Sequence, residues 1–471
     1  MNSLFPYRYH ILKHKVLITN DAGDFFLSSK NFLKKLINKD LSPNDMAFLE
    51  RTGFSFKHEN DFFYNSFIHR LRLKKQTKKD TSYIIIIPTL RCDLSCDYCQ
   101  VSRANLDAKG FDWSPEILDA FKKFLLQYNG QNVKIEFQGG EPSLRMDVIE
   151  AIIDHCDQNN IKAQFVICTN LSSLSDSLKN LLKRPDFFVS TSIDGEENTH
   201  TQNRTKDKNI TAAMMDHYKE IKEEYGNEKI SALPTITGDN FEQIKELIDH
   251  YIALGQTSIF LRPVNYHGFA RKKFSGSRDD GIAWLTLYLK ALKYIFDKNF
   301  YDGHEITEFG FEVAIRRIFT NHNLHVDMRS PNPALRDYMV INYDGTLYPS
   351  DEARMLSRIK HADLSMGNIL TGIDTKTVNS YNWNQMNEVH EDCVHCAYLP
   401  YCGIDTVDDL SRYGRVDLPK HKTFFCSFNM GVFNSIFEAL ENNGIVTWYN
   451  INGHLNGKFS QNPVLSEWIY D

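Results

Sequence analysis

The chain has 471 residues, 42% hydrophobic and 24% charged, the composition of a folded protein and a length too great for one ordinary domain. Its 54 Lys and Arg against 60 Asp and Glu leave a net charge of -6, so nothing general points to nucleic acid or an anionic membrane as a partner. The longest aliphatic run, Ile84–Ile87, is far short of a bilayer span, residues 1–15 show no apolar secretory stretch, and the chain reads as cytoplasmic.

Residues 16–27 (VLITNDAGDFFL) read as two strands about an Asn20–Gly23 turn. A helix from Ser29 presents Phe32, Leu33, Leu36 and Ile37 on one face, and a second runs from Ser42–Pro43 through Leu49. This small α+β unit, with residues 70–80 (RLRLKKQTKKD) read as an exposed basic connector, forms a first domain over 1–80. From Tyr83 the texture alternates. Apolar runs at 83–88, 133–138, 163–168, 187–193, 229–237 and 258–264 are separated by amphipathic stretches at 114–128, 142–157, 208–225, 240–254 and 282–297. Six βα units imply an α/β fold with a mostly parallel sheet, a partial barrel two units short of closure, over 81–300. Chemistry in such folds collects at the carboxyl ends of the strands. A third region, 301–471, holds a hairpin at 338–349 about Asp344–Gly345 and a helix near 428–442, and is otherwise loop-rich.

Seven of the nine cysteines fall in two clusters: Cys92, Cys96 and Cys99, then Cys393, Cys396, Cys402 and Cys426. In a reducing compartment such clusters indicate metal ligation or catalysis rather than disulfides. Cys156, on a helical face with Val148, Ile149, Ile152 and Ile153, and Cys168, ending a buried strand, read as small core residues. Three thiolates on the loop TLRCDLSCDYCQ directly after the first barrel strand suit a [4Fe–4S] cluster with one iron left open, whereas structural clusters take four. Zinc is the competing reading, without a fourth Cys or His at a usual spacing nearby.

Cys92-x3-Cys96-x2-Tyr98-Cys99 resembles the signature of the radical S-adenosylmethionine (SAM) superfamily. The resemblance implies a [4Fe–4S] cluster whose open iron chelates SAM, reductive cleavage of SAM to a 5′-deoxyadenosyl radical, and hydrogen abstraction from a substrate. It assigns Tyr98 to the adenine, and Gly139, Gly140, Glu141 and Pro142 (GGEP) to the SAM amino group. Asn170 ends the third strand. Ser192-x-Asp194–Gly195 with His200 and Arg204 resembles the S-x-D-G…H-D-x-x-R pattern for the ribose and carboxylate, with Thr201 in place of Asp. Leu261 would pack on adenine.

The four later cysteines form a closed set, and their spacing alone leaves zinc and iron–sulfur open. They resemble the SPASM extension of peptide-modifying radical SAM enzymes, which implies a second, auxiliary [4Fe–4S] cluster. Ser350 and Thr406 stand where that extension has cysteines of a further cluster, whose loss is expected. Asp351 aligns with a catalytic base of sulfatase-maturing relatives, or is a turn carboxylate beside Arg354. The N-terminal unit, the YPSDEAR hairpin and the four-cysteine tail resemble the His-Xaa-Ser system maturases. That implies a ribosomally made precursor peptide or protein as partner, with a flavodoxin or ferredoxin as electron donor; the N-terminal unit either docks that precursor by adding a strand to its hairpin edge or only packs on the barrel. A formylglycine-generating sulfatase maturase and a non-catalytic iron–sulfur or zinc sensor are the rival readings.

Overall fold

The computed structural model describes residues 3–75, 82–238, 240–274, 276, 278–320, 330, 332–336, 338–442, 444–460 and 469–470. In the N-terminal unit, strands Tyr7–Ile11, Val16–Asn20 and Phe25–Ser28 form an antiparallel meander. Helix Lys30–Asn38 starts where Ser29 Oγ accepts from the Phe32 N–H at 3.2 Å, and helix Pro43–Arg51 starts at a reciprocal Ser42–Asp45 cap. Val16, Ile18 and Phe26 from one sheet face and Phe32, Leu36, Phe48 and Phe54 close a separate small core. Tyr7–Ile11 is an outer strand of this sheet, and Ile469–Tyr470 pair in parallel with the other outer strand, Phe25–Ser28.

Residues 70–75, expected in an exposed connector, instead end the helix Phe62–Lys75. Phe67 stacks on Phe5 at 3.8 Å between centroids, and Lys74 Nζ donates to the carbonyls of Arg317 and Thr320, so part of the basic run packs and hydrogen-bonds. Residues 76–80 lie outside the described residues.

Five parallel strands follow as consecutive neighbours: Tyr83–Thr89, Asn132–Gly139, Lys162–Cys168, Phe187–Thr191 and Ile230–Ala232. Helices Pro115–Leu125, Met146–Gln158, Lys208–Tyr225 and Phe241–Ala253 fall where the apolar periodicity places them. The sixth unit departs from the expectation. Ser258–Ile259 pair with Thr307–Glu308, and the fifth and sixth strands meet through one parallel bridge, Ile236–Pro263. Pro234 and Pro263 each lack a ladder N–H, which limits this edge to one rung. The hairpin at 338–348 turns at Asp344–Gly345 as expected. Its first strand, Tyr338–Ile341, also extends the barrel sheet, pairing in parallel with Tyr83–Ile86 on the side opposite the second strand.

Strand alternation sorts the side chains into two faces. Ile84, Ile86, Ile135, Phe137, Phe165 and Ile167 join the main core with Cys156. The inner face carries Tyr83, Ile85, Ile87, Lys134, Glu136, Gln138 and Cys168. Cys168 is therefore not a core residue like Cys156: with Phe165 and Ile167 outward, it faces inward, half-buried, 3.2 Å from Glu136 Oε1. No helix of the described residues is long and apolar enough to cross a membrane.

Phe26 is fully buried with ring contacts to Phe32, Phe48 and Phe54 at 4.9–5.8 Å. Phe26→Ala should destabilise the N-terminal unit by about 3–5 kcal/mol, read as early protease cleavage within 1–75 while the barrel stays intact; resistance equal to wild type would contradict this core.

Candidate functional site

The first cysteine loop leaves the sheet at Thr89 and is pinned by a dense set of backbone hydrogen bonds, with side-chain ion pairs outside them. Leu90 N–H donates to Phe111 O, Ala104 N–H to Leu90 O at 2.7 Å, and Cys92 N–H to Ala104 O at 3.2 Å. From the second strand's loop, Gly140 N–H donates to Thr89 O at 3.0 Å and Glu141 N–H to Arg91 O at 2.8 Å. Two further loops join it: Asp97 N–H donates to Asn203 O and Phe269 N–H to Cys99 O. The contacts are so close that a Cβ on Gly140 would lie 2.2 Å from Arg91 O, and one on Gly268 1.8 Å from Gln100 O. Asp97 also pairs with Lys206 at 2.6 Å and Lys273 at 2.9 Å.

Cys92, Cys96 and Cys99 are all half-buried and free of disulfides. Burial pushes the Cys92 and Cys96 thiols up; at Cys96 the nearby Arg204 charge works the other way. Cys92 Sγ lies 4.0 Å from Asn170 Nδ2, which donates to Asp93 Oδ1 at 2.8 Å. Partly accessible, unbridged thiols on one rigid loop are a donor set that fits a three-cysteine cluster site.

The other sequence-assigned residues gather around this loop at the strand ends. Glu141 is buried; its Oε1 accepts from Ser143 N–H at 3.1 Å and its Oε2 from Asn170 N–H at 2.8 Å, so it ties the second and third loops together. Burial raises its pKa against those hydrogen bonds. Pro142, also buried, begins the short turn Pro142–Arg145, and Gly139 sits at φ +137° where strand gives way to loop. Ser192 follows the fourth strand, half-buried. Leu261 is buried in the main core and its N–H donates to Glu308 Oε1 at 3.0 Å.

Tyr98, Asp194 and Arg204 form one network. Tyr98 OH donates to Asp194 Oδ2 at 2.5 Å and accepts from Arg204 Nη1 at 2.7 Å, while Arg204 lies 3.8 Å from Asp194 Oδ1. Burial raises the Asp194 pKa, opposed by Arg204. The Tyr98 ring packs with Val264 and Ala270. Asp194, assigned no role from sequence beyond its motif, thus connects the cysteine loop to the fourth strand. His200 Nδ1 accepts the Asp194 N–H at 3.4 Å, and Thr201, in place of the usual Asp, bonds Thr211 at 2.8 Å.

The four later cysteines come together. Cys393, Cys396, Cys402 and Cys426 line one cavity of about 100 Å³, with Asp392, Lys420 and Phe433. Burial and the neighbouring Cys426 and Cys396 push the Cys393 thiol up to about 12. Among the described residues no three Cys, His, Asp or Glu side chains are placed to hold a metal ion. Four thiols around one cavity are a donor set that suits a four-cysteine cluster or a tetrahedral ion. The N-terminal unit rests on this loop: Arg8 Nε donates to Val394 O, and Thr19 Oγ1 donates to Ala397 O at 2.8 Å. Ser350 and Thr406 have backbone partners, Ser350 Oγ accepting from Ala353 N–H at 3.1 Å and Thr406 Oγ1 donating to Asn384 O at 3.1 Å. Asp351 begins helix Asp351–Arg358, buried, and accepts from Arg354 Nε at 2.7 Å.

A match to the radical SAM superfamily covers residues 86–251. An uncharacterized protein of Methanocaldococcus jannaschii is 31% identical over 181 residues, 38% of this chain and 60% of its own length. The cysteine-type anaerobic sulfatase-maturating enzyme of Clostridium perfringens is 22% identical over 332 residues, 66% of this chain and 84% of that enzyme. Among solved structures, anSMEcpe with bound AdoMet superposes with a TM-score of 0.60 at 19% identity, covering 77% of this chain and 98% of that one. Streptococcus suis SuiB bound to precursor peptide SuiA gives 0.51 at 14%, covering 88% and 97%. These likenesses establish the fold. Within that fold, residues 86–251 are the stretch that matches the radical SAM superfamily.

Burial, with the Arg204 charge, holds His200 neutral down to about pH 3, whereas an unfolded His takes its proton near ~6.5. Its contribution is thus complete above about pH 6.5 and is lost as pH falls from there toward 3. His200→Phe should lose less melting temperature than wild type between pH 7.5 and 5.5; an equal or larger loss would contradict a buried neutral imidazole.

Proposed function

We propose that this protein is a radical SAM maturase that abstracts hydrogen from a residue of a ribosomally made partner peptide. The observation that carries the reading is the loop of Cys92, Cys96 and Cys99, three accessible thiols without a fourth protein donor in their spacing, set among the strand-end loops of a partial barrel. A [4Fe–4S] cluster there supplies the one-electron reduction that splits SAM into methionine and a 5′-deoxyadenosyl radical.

In this reading Gly139, Gly140 and Pro142 shape the loop that receives the SAM amino group, and Glu141 holds that loop against Asn170. Ser192 and Arg204 take the ribose and carboxylate, Arg204 being oriented by Tyr98 and Asp194. The Tyr98 ring and Leu261 flank the adenine. Cys393, Cys396, Cys402 and Cys426 hold one auxiliary [4Fe–4S] cluster, and the hydroxyls of Ser350 and Thr406 mark the absence of another. A peptide partner is supported by the names of two neighbours, SuiB bound to precursor peptide SuiA and anSMEcpe with bound AdoMet and Cp18Cys peptide. The peptide adds as a strand to Tyr7–Ile11, where Tyr9 and Ile11 are exposed and where the described strands leave the outer edge unpaired. The enzyme works in the cytoplasm, where thiols stay reduced, with a flavodoxin or ferredoxin as donor. His-Xaa-Ser system peptides are the specific partners we infer. The likeness to the sulfatase-maturating enzyme supports a second reading, formylglycine formation, which a Cys- or Ser-containing sulfatase-motif peptide would test.

Anaerobic reconstitution should yield about eight irons per chain, and about four when Cys393, Cys396 and Cys402 become Ala. With dithionite and SAM, wild type should release 5′-deoxyadenosine and the Cys96→Ala variant none. A count near twelve refutes the lost cluster, and no 5′-deoxyadenosine from wild type refutes the proposed chemistry. Hydrogen–deuterium exchange with the precursor encoded beside the gene should show protection of residues 7–11; unchanged exchange there would contradict strand addition.

A further inference from the structure

Arg354 is among the largest fully buried side chains of the protein, 1% exposed, yet it makes only one side-chain hydrogen bond, through Nε to Asp351 Oδ1 at 2.7 Å. Its Nη1 and Nη2 are both buried with no partner among the described residues. A guanidinium with both amino groups desolvated and unpaired costs several kcal/mol relative to water, by about 1–3 kcal/mol for each unmet donor and more for a charged one. Such a group persists where a ligand completes it.

Its surroundings say which ligand. The helix Asp351–Arg358 follows the hairpin strand Leu347–Tyr348, which runs back toward the foot of Tyr338–Ile341, and Asp351 N–H reaches the Tyr338 hydroxyl at 3.4 Å. The Arg354 charge acts on the hydroxyls of Tyr343 and Tyr348. Tyr348 lies on the inner face of the barrel sheet, packed with Ile85, Ile87 and Val340. Glu136 on this face is already committed: it accepts from Tyr83 OH at 2.5 Å and Gln138 Nε2 at 2.6 Å and pairs with Lys134 at 3.1 Å. The chain thus sets Arg354 beside the hairpin tyrosines, fixes its guanidinium through Asp351, and leaves unpaired the two nitrogens whose N–H donors match a carboxylate.

We propose that Arg354 is a carboxylate-binding residue, its Nη1 and Nη2 receiving a carboxylate of the partner peptide, with Asp351 as the positioning residue that orients the guanidinium. This rests on the proposed peptide substrate. Tyr343, on which the Arg354 charge acts, packs on Phe111 at 5.4 Å between ring centroids, and the Phe111 carbonyl accepts from Leu90 N–H at the start of the cysteine loop, so the anchor and the loop share the same side of the sheet. The carboxylate is that of an Asp or Glu side chain or of the peptide's own C-terminus.

The test uses reconstituted full-length protein with SAM and three blocked dipeptides: acetyl-Ala-Glu-amide, its Gln counterpart, and acetyl-Ala-Ala with a free C-terminus. Calorimetric titration should show at least one carboxylate probe binding wild type about tenfold or more tightly than the Gln probe, and which one does identifies the side-chain or terminal source. The preference should vanish in Arg354→Gln, with iron content confirming that the variant folds. In Arg354→Lys, which keeps the charge and loses the fork, it should shrink. Equal binding of all three probes to wild type overturns the proposal even if no variant folds, and so does a carboxylate preference that survives in Arg354→Gln. Release of 5′-deoxyadenosine by wild type without any probe reports on the proposed reaction separately, so its failure and that of the anchor are distinguishable.

Discussion

The site rests on backbone-to-backbone contact between loops. The cysteine loop receives hydrogen bonds from, or donates them to, the segments at 104, 111, 140–141, 203 and 269, and two of those approaches leave no room for a side chain at Gly140 or Gly268. Side-chain clamps flex; a loop held by main-chain hydrogen bonds at van der Waals distance does not. The backbone that carries the three cysteines is placed by its neighbours, so less chain ordering is left for a metal to impose. Glu141, Asn170, Tyr98, Asp194 and Arg204 then take their positions from the same loops, which is why residues far apart in sequence meet there.

The second cysteine set is built differently. Its four thiols come from a short turn, the stretch after it, and the long helix Phe424–Asn442, and they surround a cavity on which the N-terminal meander rests through Arg8 and Thr19. Arg8 stands close enough to Cys396 for its charge to lower the thiol's pKa against the larger effect of burial. The proposed peptide-docking strand, Tyr7–Ile11, carries that Arg8, so docking and the auxiliary site are joined by one residue.

Much of this was readable in the sequence because period and spacing are local signals. The barrel strands and helices follow from alternating apolar runs, and Cys92, Cys96 and Cys99 from a spacing that scatter does not produce. The reading failed where the deciding contact is distant. Nothing local tells the strand Tyr338–Ile341 that it will pair in parallel with Tyr83–Ile86, or that the basic run at 70–75 will continue a helix and cap carbonyls at 317 and 320. Cys168 was misplaced for a subtler reason: a wholly apolar run hides which parity faces the helices, and one residue decides between core and inner face. The sequence sets Arg354 beside Asp351 but carries no sign of its burial, since an arginine is exposed by default and only the folded chain buries it.

The central claim is that Cys92, Cys96 and Cys99 leave one metal corner for SAM to occupy. Electron–nuclear double resonance on the reduced, anaerobically reconstituted protein, with SAM labelled with 15N at its amino group, measures this directly. The account predicts a 15N coupling of a directly bonded nitrogen, lost when Cys96 is replaced by Ala. A spectrum unchanged by SAM, or one showing a fourth protein ligand on the cluster, would contradict it.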